Sequence, residues 1–443
     1  MAEPTIVPRA EHTISRRDVD PDALKVLYRL HEHNYIAYLV GGSVRDLLLN
    51  RRPKDFDIGT SAHPHQVKKL FRNCWIIGRR FRLAHVKFGS KTIEVATFRR
   101  QVGASELTPE MDVAAAAADD GASPEALTTE PPRRRRAEDH LIQRDNTYGT
   151  PEEDAFRRDF TVNALFYDIG TFSIIDYVGG LADLDARIIR CIGDPDLRFL
   201  EDPVRMLRAV VLAARLQFSI DQPVLDAIAT HRHEIARSAP ARLVEEYYKI
   251  LRSGHAKEAF TQLRATGLLK AITPELSSAA EPVWASIAAL DRYRARFDAA
   301  PESLTNAILA GTLLYPLGLV ARRRFSADAL ERRVELGLLP IARRDIERLQ
   351  QIVALQPRLA DLQAPARAQR GLLHRAVLGE AITWLEIHGD RPDAVAHWRA
   401  LQAEPHEHPL SSTAEPGNTL APYPRRRRRR RRRSGAPRLT NGS

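Results

Sequence analysis

The stretch Leu39–Ile58, LVGGSVRDLLLNRRPKDFDI, contains the residues that decide the fold of this chain. It predicts a strand that ends at Gly41-Gly42, a short helix over residues 44–49 that Ser43 could cap, and a second short strand. A glycine pair between a strand and a helix lets the backbone approach a phosphate closely, and the helix start directs free N–H groups at the anion. The stretch therefore predicts a phosphate-binding turn.

Asp55 and Asp57 are two positions apart on the second strand, Asp55 to Ile58, so both carboxylates are expected on one face. Two carboxylates on one face can hold two Mg²⁺ ions, which activate a hydroxyl and stabilise a departing pyrophosphate. Arg45, on the intervening helix, could reach a triphosphate. Two other Asp-x-Asp sequences are predicted to serve only turns or helix caps: Asp183-Leu184-Asp185 and Asp194-Pro195-Asp196.

The flanking sequence predicts an α+β chain, with a small mixed sheet first and helices afterwards. Further predicted strands are Tyr35 to Val40, Trp75 to Ile77, Ala84 to Phe88, Thr92 to Phe98, Asp159 to Asp168 and Ser173 to Tyr177. Predicted helices are residues 22–33, His63 to Arg72, 201–216 as one helix, 223–237, 240–252, 256–267 and 281–292, continuing to about residue 403 without strands. His85 alternates with apolar neighbours, which favours a partly buried histidine over a catalytic one.

Composition excludes several classes of protein. The hydrophobic content of 44% indicates a globular chain, and two cysteines provide neither a disulfide framework nor a zinc cluster. No apolar run approaches about 18 residues and no secretory signal is evident, so we expect no membrane span and a cytoplasmic location.

The net charge of +11 is concentrated in two runs. Arg425–Arg433 are nine consecutive arginines, and without them the basic residues outnumber the acidic ones by only two. Arg133–Arg136 form a shorter run. Such runs are typical of contacts to a polyanion such as RNA, although a solvated tail without a partner remains open.

The spacing from Gly41-Gly42 to Asp55-Phe56-Asp57 resembles the nucleotidyltransferase superfamily of the polymerase-beta type. Later segments resemble successive motifs of its bacterial branch, which contains tRNA nucleotidyltransferases and poly(A) polymerases. These segments are RRDFTVNALFYD (157–168), IDYVGGLADL (175–184), IIRCIGDP (188–195) and EDPVRMLRAV (201–210). Three others most resemble the poly(A) polymerases of that branch: HTISRRDVDPDALKVLYRL (12–30), RNCWIIGRRFRLAHVKFG (72–89) and RDNTYGTPEEDAFRRDFT (144–161).

Residues 101–143 are rich in Ala, Pro and acidic residues, and residues 405–443 are rich in Pro, Ser and Arg, so their composition predicts a disordered insertion and a disordered Arg-rich tail. The resemblance implies the order of the other parts: a flexible N-terminus (1–17), a nucleotidyltransferase palm (18–190) that contains the insertion, a helical neck with a base-reading element (191–255) and a helical RNA-binding body (256–404). The implied fold is a polymerase-beta-like palm followed by an all-helical neck and body.

The resemblance also implies roles for individual residues. Asp55 and Asp57 would bind the metals, Asp159 matches a third catalytic aspartate, and Glu94 is either a further metal ligand or an ordinary exposed strand residue. Arg157 and Arg158 would contact the nucleotide, although one could instead only neutralise Asp159. The implied nucleotide-binding set is Gly41, Gly42, Ser43, Arg45, Arg157, Arg158, Glu201, Asp202, Arg205 and Arg208, in which Glu201 to Arg205 would read the base.

The implied activity is addition of adenylate from ATP to RNA 3′ ends with Mg²⁺, by a monomer that promotes RNA processing or decay. A CCA-adding tRNA nucleotidyltransferase shares most of these motifs. The segment Gly78 to His85 and the basic tail favour poly(A) addition, because a flexible arginine tail suits varied RNAs. A non-catalytic RNA-binding protein on a decayed transferase domain is a third possibility, which the presence of both Asp55 and Asp57 disfavours.

Overall fold

The computed structural model describes residues 3–78, 82–100, 147–320 and 334–403. A mixed sheet forms the N-terminal part, here called the head, and helices form the remainder, as predicted. The predicted disordered insertion (101–143), the run Arg133–Arg136 and the Arg-rich tail (405–443) lie outside the described residues.

The head contains an eight-stranded sheet in the order β1-β8-β7-β2-β3-β6-β5-β4. Neighbouring strands are antiparallel except β3 and β6, which run parallel. The strands are β1 (Thr5–Val7), β2 (Ala37–Val40), β3 (Asp57–Thr60), β4 (Cys74–Ile77), β5 (Leu83–Phe88), β6 (Lys91–Thr97), β7 (Leu165–Asp168) and β8 (Ser173–Asp176). A separate parallel pair joins β9 (Ile188–Ile189) to β10 (Ser219–Ile220).

Helices cover the sheet and build the C-terminal part. Those of the head are α1 (Pro21–Glu32), α2 (Gly42–Leu48), α3 (Pro64–Leu70), α4 (Pro151–Phe156) and α5 (Gly180–Ala186). The neck has α6 (Pro195–Glu201), α7 (Val204–Leu216), α8 (Gln222–His231) and α9 (Pro240–Arg252). The body has α10 (Ala256–Ala265), α11 (Leu268–Ile272), α12 (Pro274–Ser277), α13 (Glu281–Arg294), α14 (Asn306–Leu314), α15 (Arg343–Ala360), α16 (Ala366–Leu373), α17 (Leu378–His388) and α18 (Pro392–Ala403).

Several predicted elements differ from the structure. Residues 201–216 are two helices, because Pro203 lacks an N–H and Asp202 before it is extended. The predicted strand Asp159 to Asp168 begins only at Leu165, after a 3₁₀ turn. The N-terminus, predicted to be flexible, supplies β1, which pairs with β8. The helical region contains one short strand, β10.

One contiguous apolar core extends from the head into the body. It includes Val26 and Leu39 in the head, Leu207 in the neck and Ile308 and Trp398 in the body. Because burial of apolar surface is the dominant stabilising term, this shared core fixes the neck against the head. Within the described ranges, no helix is both long and apolar enough to cross a membrane.

Candidate active site

The parallel pairing of β3 and β6 brings two acidic side chains together. Ile58 pairs with Val95 and both are buried, so the preceding residues, Asp57 and Glu94, point to the opposite, exposed face. Asp55 is exposed and lies two residues before the first residue of β3. The prediction that Asp55 and Asp57 lie on one strand, Asp55 to Ile58, is therefore wrong for Asp55, because the strand begins at Asp57. The pairing adds Glu94 as their neighbour.

The electrostatic environment of Asp57 is unusual. Its pKa is raised to about 6, because surrounding protein atoms displace water and because Glu94 and Asp55 are negative nearby, while Arg158 acts in the opposite direction. Asp57 remains partly open to solvent, which screens these charges. The site therefore holds negative charge that the described residues do not fully compensate.

The carboxylates around Asp57 have the ligand chemistry that the expected Mg²⁺ requires. Among the described residues, no three His, Cys, Asp or Glu side chains lie close enough to form a metal site by themselves. Mg²⁺ is ordinarily held by one or two carboxylates together with water and substrate phosphates rather than by an all-protein cage. Asp57 with Asp55 or Glu94 supplies hard oxygen ligands with excess negative charge, so the donor set fits Mg²⁺ that is bound together with a nucleotide.

The glycine turn lies directly beside Asp57, because Val40 pairs with Asp57 across β2 and β3. Gly41 has φ +72°, and a Cβ there would lie 3.0 Å from Nη1 of Arg158. A larger residue would thus be strained and would crowd that guanidinium. Gly41, not Ser43, is the N-cap of α2, so the predicted capping role of Ser43 is wrong. The Ser43 hydroxyl lies inside the helix and donates to the Val40 carbonyl at 3.0 Å.

Arg45 is buried on α2, and its donors are already engaged. Its Nε and Nη2 donate to Asp46 Oδ1 at 2.8 and 2.6 Å, and Nη1 donates to the Asn163 side chain. Burial lowers the pKa of Arg45, although Asp46 opposes the shift. Contact between Arg45 and a triphosphate remains a prediction, and it would require these bonds to be rearranged.

Arg157 and Arg158 share one buried carboxylate, that of Asp154. Arg157 Nε donates to Asp154 Oδ1 at 2.8 Å, and Arg158 Nη2 donates to Oδ2 at 2.9 Å. Burial opposes ionisation of Asp154, but Arg158 and Arg157 outweigh it, so its pKa lies below the ordinary value. The alternative that one arginine only neutralises Asp159 is wrong, since both pair with Asp154. The positive charge of Arg158 also acts on Asp57, where it opposes the rise in pKa.

Asp159 lies at the junction of head and neck, where it pairs with Arg208. Nη2 of Arg208 is 2.7 Å from Asp159 Oδ2, and the Phe160 N–H donates to Oδ1 at 2.9 Å. The structure thus pairs the predicted catalytic Asp159 with the predicted nucleotide ligand Arg208, and both roles stay predictions.

The predicted base-reading element is an ion-pair network around the α6–α7 break. Glu201 Oε2 accepts from Arg205 Nη1 at 2.8 Å. The Asp202 carboxylate accepts hydrogen bonds from Nη1 and Nη2 of Arg242, at 3.0 and 2.8 Å. Burial raises the pKa of Asp202, but Arg242 outweighs this effect, so the pKa lies below its ordinary value. Glu201 and Arg205 are thus adjacent, as predicted, whereas Asp202 is bound to α9. Their contact with a base stays a prediction.

Sequence reasoning missed three residues that hold this site together: Asp154, Asn163 and Arg198. Asn163 joins Arg45 to Asp159, since its amide contacts both side chains. Arg198 donates to the backbone carbonyls of Arg157 and Arg158 and to Glu201 Oε2 at 3.2 Å. The spacing of Asp154 from the arginine pair, three and four residues, is the one signal that could have identified a partner.

Three ranges of this chain match models of known protein families. Residues 37–190 match the family described as "Poly A polymerase head domain", and residues 217–280 match "Probable RNA and SrmB- binding site of polymerase A". Residues 324–434 match "Polymerase A arginine-rich C-terminus". Three successive parts of the chain thus match models of poly(A) polymerase domains. The glycine turn and the three carboxylates all lie in the matched poly(A) polymerase head.

Individual relatives agree with this assignment. The chain is 46% identical over 273 residues to Poly(A) polymerase I of Salmonella typhimurium, a match that covers 62% of this chain and 54% of the relative. It is 35% identical over 243 residues to the CCA-adding enzyme of Lactobacillus helveticus, covering 55% and 53% respectively. The chain thus spans about half the length of the curated relatives that it matches.

Among solved structures, the chain resembles the Bacillus stearothermophilus CCA-adding enzyme in complex with CTP. The TM-score is 0.58 at 27% identity, over 86% of this chain and 82% of the other. A mixed head sheet followed by helices is therefore an architecture that this chain shares with that CCA-adding enzyme.

Proposed function

We propose that this protein is a template-independent poly(A) polymerase that adds AMP from ATP to RNA 3′ ends and releases pyrophosphate. The observation that carries the proposal is the carboxylate group around Asp57 beside the Gly41 turn, in a head more similar to Poly(A) polymerase I than to CCA-adding enzymes. The partners would be RNA and ATP. A cytoplasmic monomer that takes part in RNA processing or decay agrees with this proposal.

In the proposed reaction, the RNA 3′ oxygen attacks the α-phosphorus of ATP. A new P–O bond forms, the bond to pyrophosphate breaks, and the hydroxyl proton passes to solvent. Mg²⁺ held by Asp57 with Asp55 or Glu94 would lower the pKa of the hydroxyl and stabilise the charge on the leaving pyrophosphate. No covalent enzyme intermediate is needed, so catalysis would come from positioning and charge stabilisation.

The chain's own residues would hold the nucleotide on the β2 side of Asp57. Because Gly41 has no Cβ, its backbone lies close to the guanidinium of Arg158. A phosphate could therefore contact the Gly41 backbone and Arg158 together. Asp154 fixes the Arg157 and Arg158 guanidiniums in place. Preorganised cations of this kind cost little reorganisation when negative charge develops on the triphosphate.

Base selection would come from protein side chains, because no template strand is used. Glu201 and Arg205 offer an acceptor and a donor beside the head, and Arg198 links them to the backbone of the Arg157-Arg158 pair. Hydrogen-bonding groups fixed in this way can discriminate between base edges. We propose that this network selects adenine.

Single-nucleotide incorporation tests the proposal. The protein is incubated with Mg²⁺ and one nucleotide at a time, on a generic RNA and on a tRNA that lacks its CCA end. Long tails made only with ATP on both RNAs are expected. Addition of CTP followed by a single ATP, on the tRNA alone, would contradict it.

That second outcome would instead identify a CCA-adding enzyme, which the structural similarity to such an enzyme keeps as the second candidate. Absence of incorporation of any nucleotide would favour the non-catalytic RNA-binding alternative.

A further inference from the structure

The strand pairing places four side chains in a row across the exposed face of the head sheet. Trp75 on β4 pairs with His85 on β5, and His85 pairs with Glu94 on β6. Glu94 neighbours Asp57 on β3, as described above. Directly paired residues point to the same side of a sheet. The row therefore runs from the carboxylates to the outermost described strand on that side.

The far end of this row is apolar and exposed. The exposed fraction is 53% for Trp75 and 51% for Ile77, two residues along the same strand. Lys87 lies on the same face of β5, with its ammonium 5.9 Å from the centre of the Trp75 ring. An exposed tryptophan beside a cation is the combination that binds unstacked bases together with their phosphates.

The direction of the reaction fixes which substrate passes over this face. The glycine turn and Arg158 lie on the β2 side of Asp57, where the triphosphate and its leaving pyrophosphate would be held. Attacking and leaving oxygens lie roughly in line in nucleotidyl transfer. The RNA 3′ end must then approach from the other side, over β6, β5 and β4.

We propose that Trp75, with Ile77 and Lys87 beside it, is a stacking platform for a base of the RNA substrate near its 3′ end. This inference rests on the proposed function and names the path of the RNA. Three strand spacings separate Asp57 from Trp75, or about 14 Å. That separation places the stacked base upstream of the reacting nucleotide and beyond the reach of the ATP.

Intrinsic fluorescence provides a direct test that does not need catalysis. The chain has four tryptophans, and the other three, Trp284, Trp384 and Trp398, are buried. Quenching of the emission by oligo(A) RNA therefore reports mainly on Trp75. We expect quenching in the wild type and its loss in Trp75→Phe, although this variant still binds RNA. Equal quenching in both proteins would overturn the proposal.

Kinetics provide the second test. In Trp75→Ala, the KM for RNA should rise about 5- to 100-fold, the range for loss of one base–aromatic stack. The KM for ATP should not change, and Trp75→Phe should restore most of the RNA affinity. Ile6→Ala is the matched control, because Ile6 is an exposed apolar residue, 59% exposed, on the opposite edge strand β1.

Two further results would contradict the platform. One is an unchanged KM for RNA in Trp75→Ala. The other is a wild-type dimer that becomes monomeric in Trp75→Ala by sedimentation, which would make this surface a contact between two copies of the chain. A wild type that incorporates no nucleotide at all would contradict the proposed function instead, and the quenching test would still decide whether Trp75 binds RNA.

Discussion

At the scale of single residues, the carboxylates around Asp57 hold a charge that the protein alone leaves unbalanced. Asp57 has a pKa of about 6, against an ordinary value of 3.8. Its protonated form is therefore favoured more in the folded than in the unfolded chain. Its contribution to stability is fully present below pH 4 and is lost as the pH rises through 6.

This pH dependence of the stability leads to the first prediction. In the absence of divalent cations at pH 7.5, Asp57→Asn should be more stable than the wild type by roughly 1 kcal/mol, after allowance for solvent screening. The difference should shrink toward zero near pH 4. Urea unfolding in EDTA at both pH values measures it. A variant less stable than the wild type at pH 7.5 would contradict the assigned electrostatics.

The second prediction concerns Asp154, which is buried between Arg157 and Arg158. Asp154→Asn leaves the two guanidiniums without their shared counter-charge, so the free energy of unfolding should fall by about 3 kcal/mol. The KM for ATP should also rise. The neighbouring Glu152→Gln, which removes a charge that is not buried, should change stability by less than about 0.5 kcal/mol. A similar loss of unfolding free energy in both variants would show that Asp154 has no special role in holding the two arginines.

The candidate site could be predicted only where the chemistry is local in sequence. Asp55 and Asp57 follow from a two-residue spacing, and Gly41 follows from a strand that must turn. Asn163 could not be found in this way, because its partner Arg45 lies 118 residues away and meets it only after β7 pairs with β2. The pairing of Asp159 with Arg208 likewise depends on how the neck packs on the head.

At the scale of secondary-structure elements, the head and neck are joined by ion pairs as well as by the apolar core. Arg215 at the end of α7 donates from Nη2 to Asp46 Oδ2 on α2 at 2.6 Å. Asp46 is buried and also holds Arg45. The orientation of the neck is therefore coupled to the helix that follows the glycine turn.

The third prediction tests this connection. A double-mutant cycle with Asp46→Ala and Arg215→Ala should give a coupling energy of about 1 kcal/mol or more in unfolding experiments. The exposed pair Glu234 and Arg237, within the neck, is the matched control and should give only a few tenths. Equal coupling energies in the two cycles would show that the interface pair adds nothing specific.

The elements themselves were largely predictable. The strands β2 to β6 begin and end within about two residues of their predicted limits, since apolar periodicity and turn residues define them. The break at Asp202-Pro203 was overlooked, although proline inside an apolar pattern should have indicated it. The strand β1 could not be foreseen, because an edge strand of three residues has almost no periodicity of its own.

At the scale of the whole molecule, positive charge is concentrated in Arg425–Arg433, within the part that matches the arginine-rich C-terminus. The fourth prediction is that deletion of these nine residues makes the negative slope of log K against log salt for RNA binding less steep by several units, because fewer counterions are released. Replacement by nine lysines keeps the charge and should preserve the slope. The melting temperature should not change, and an unaltered slope after deletion would exclude a contact with RNA.

The central claim is that the carboxylates around Asp57 perform nucleotidyl transfer of adenylate to RNA. The most direct measurement compares ATP incorporation into a generic RNA by the wild type, Asp57→Asn and the control Asp185→Asn, which removes the exposed carboxylate of another Asp-x-Asp sequence, on α5. We expect incorporation by the wild type and Asp185→Asn, and none by Asp57→Asn, with similar RNA binding by all three. Incorporation that survives in Asp57→Asn would contradict the account.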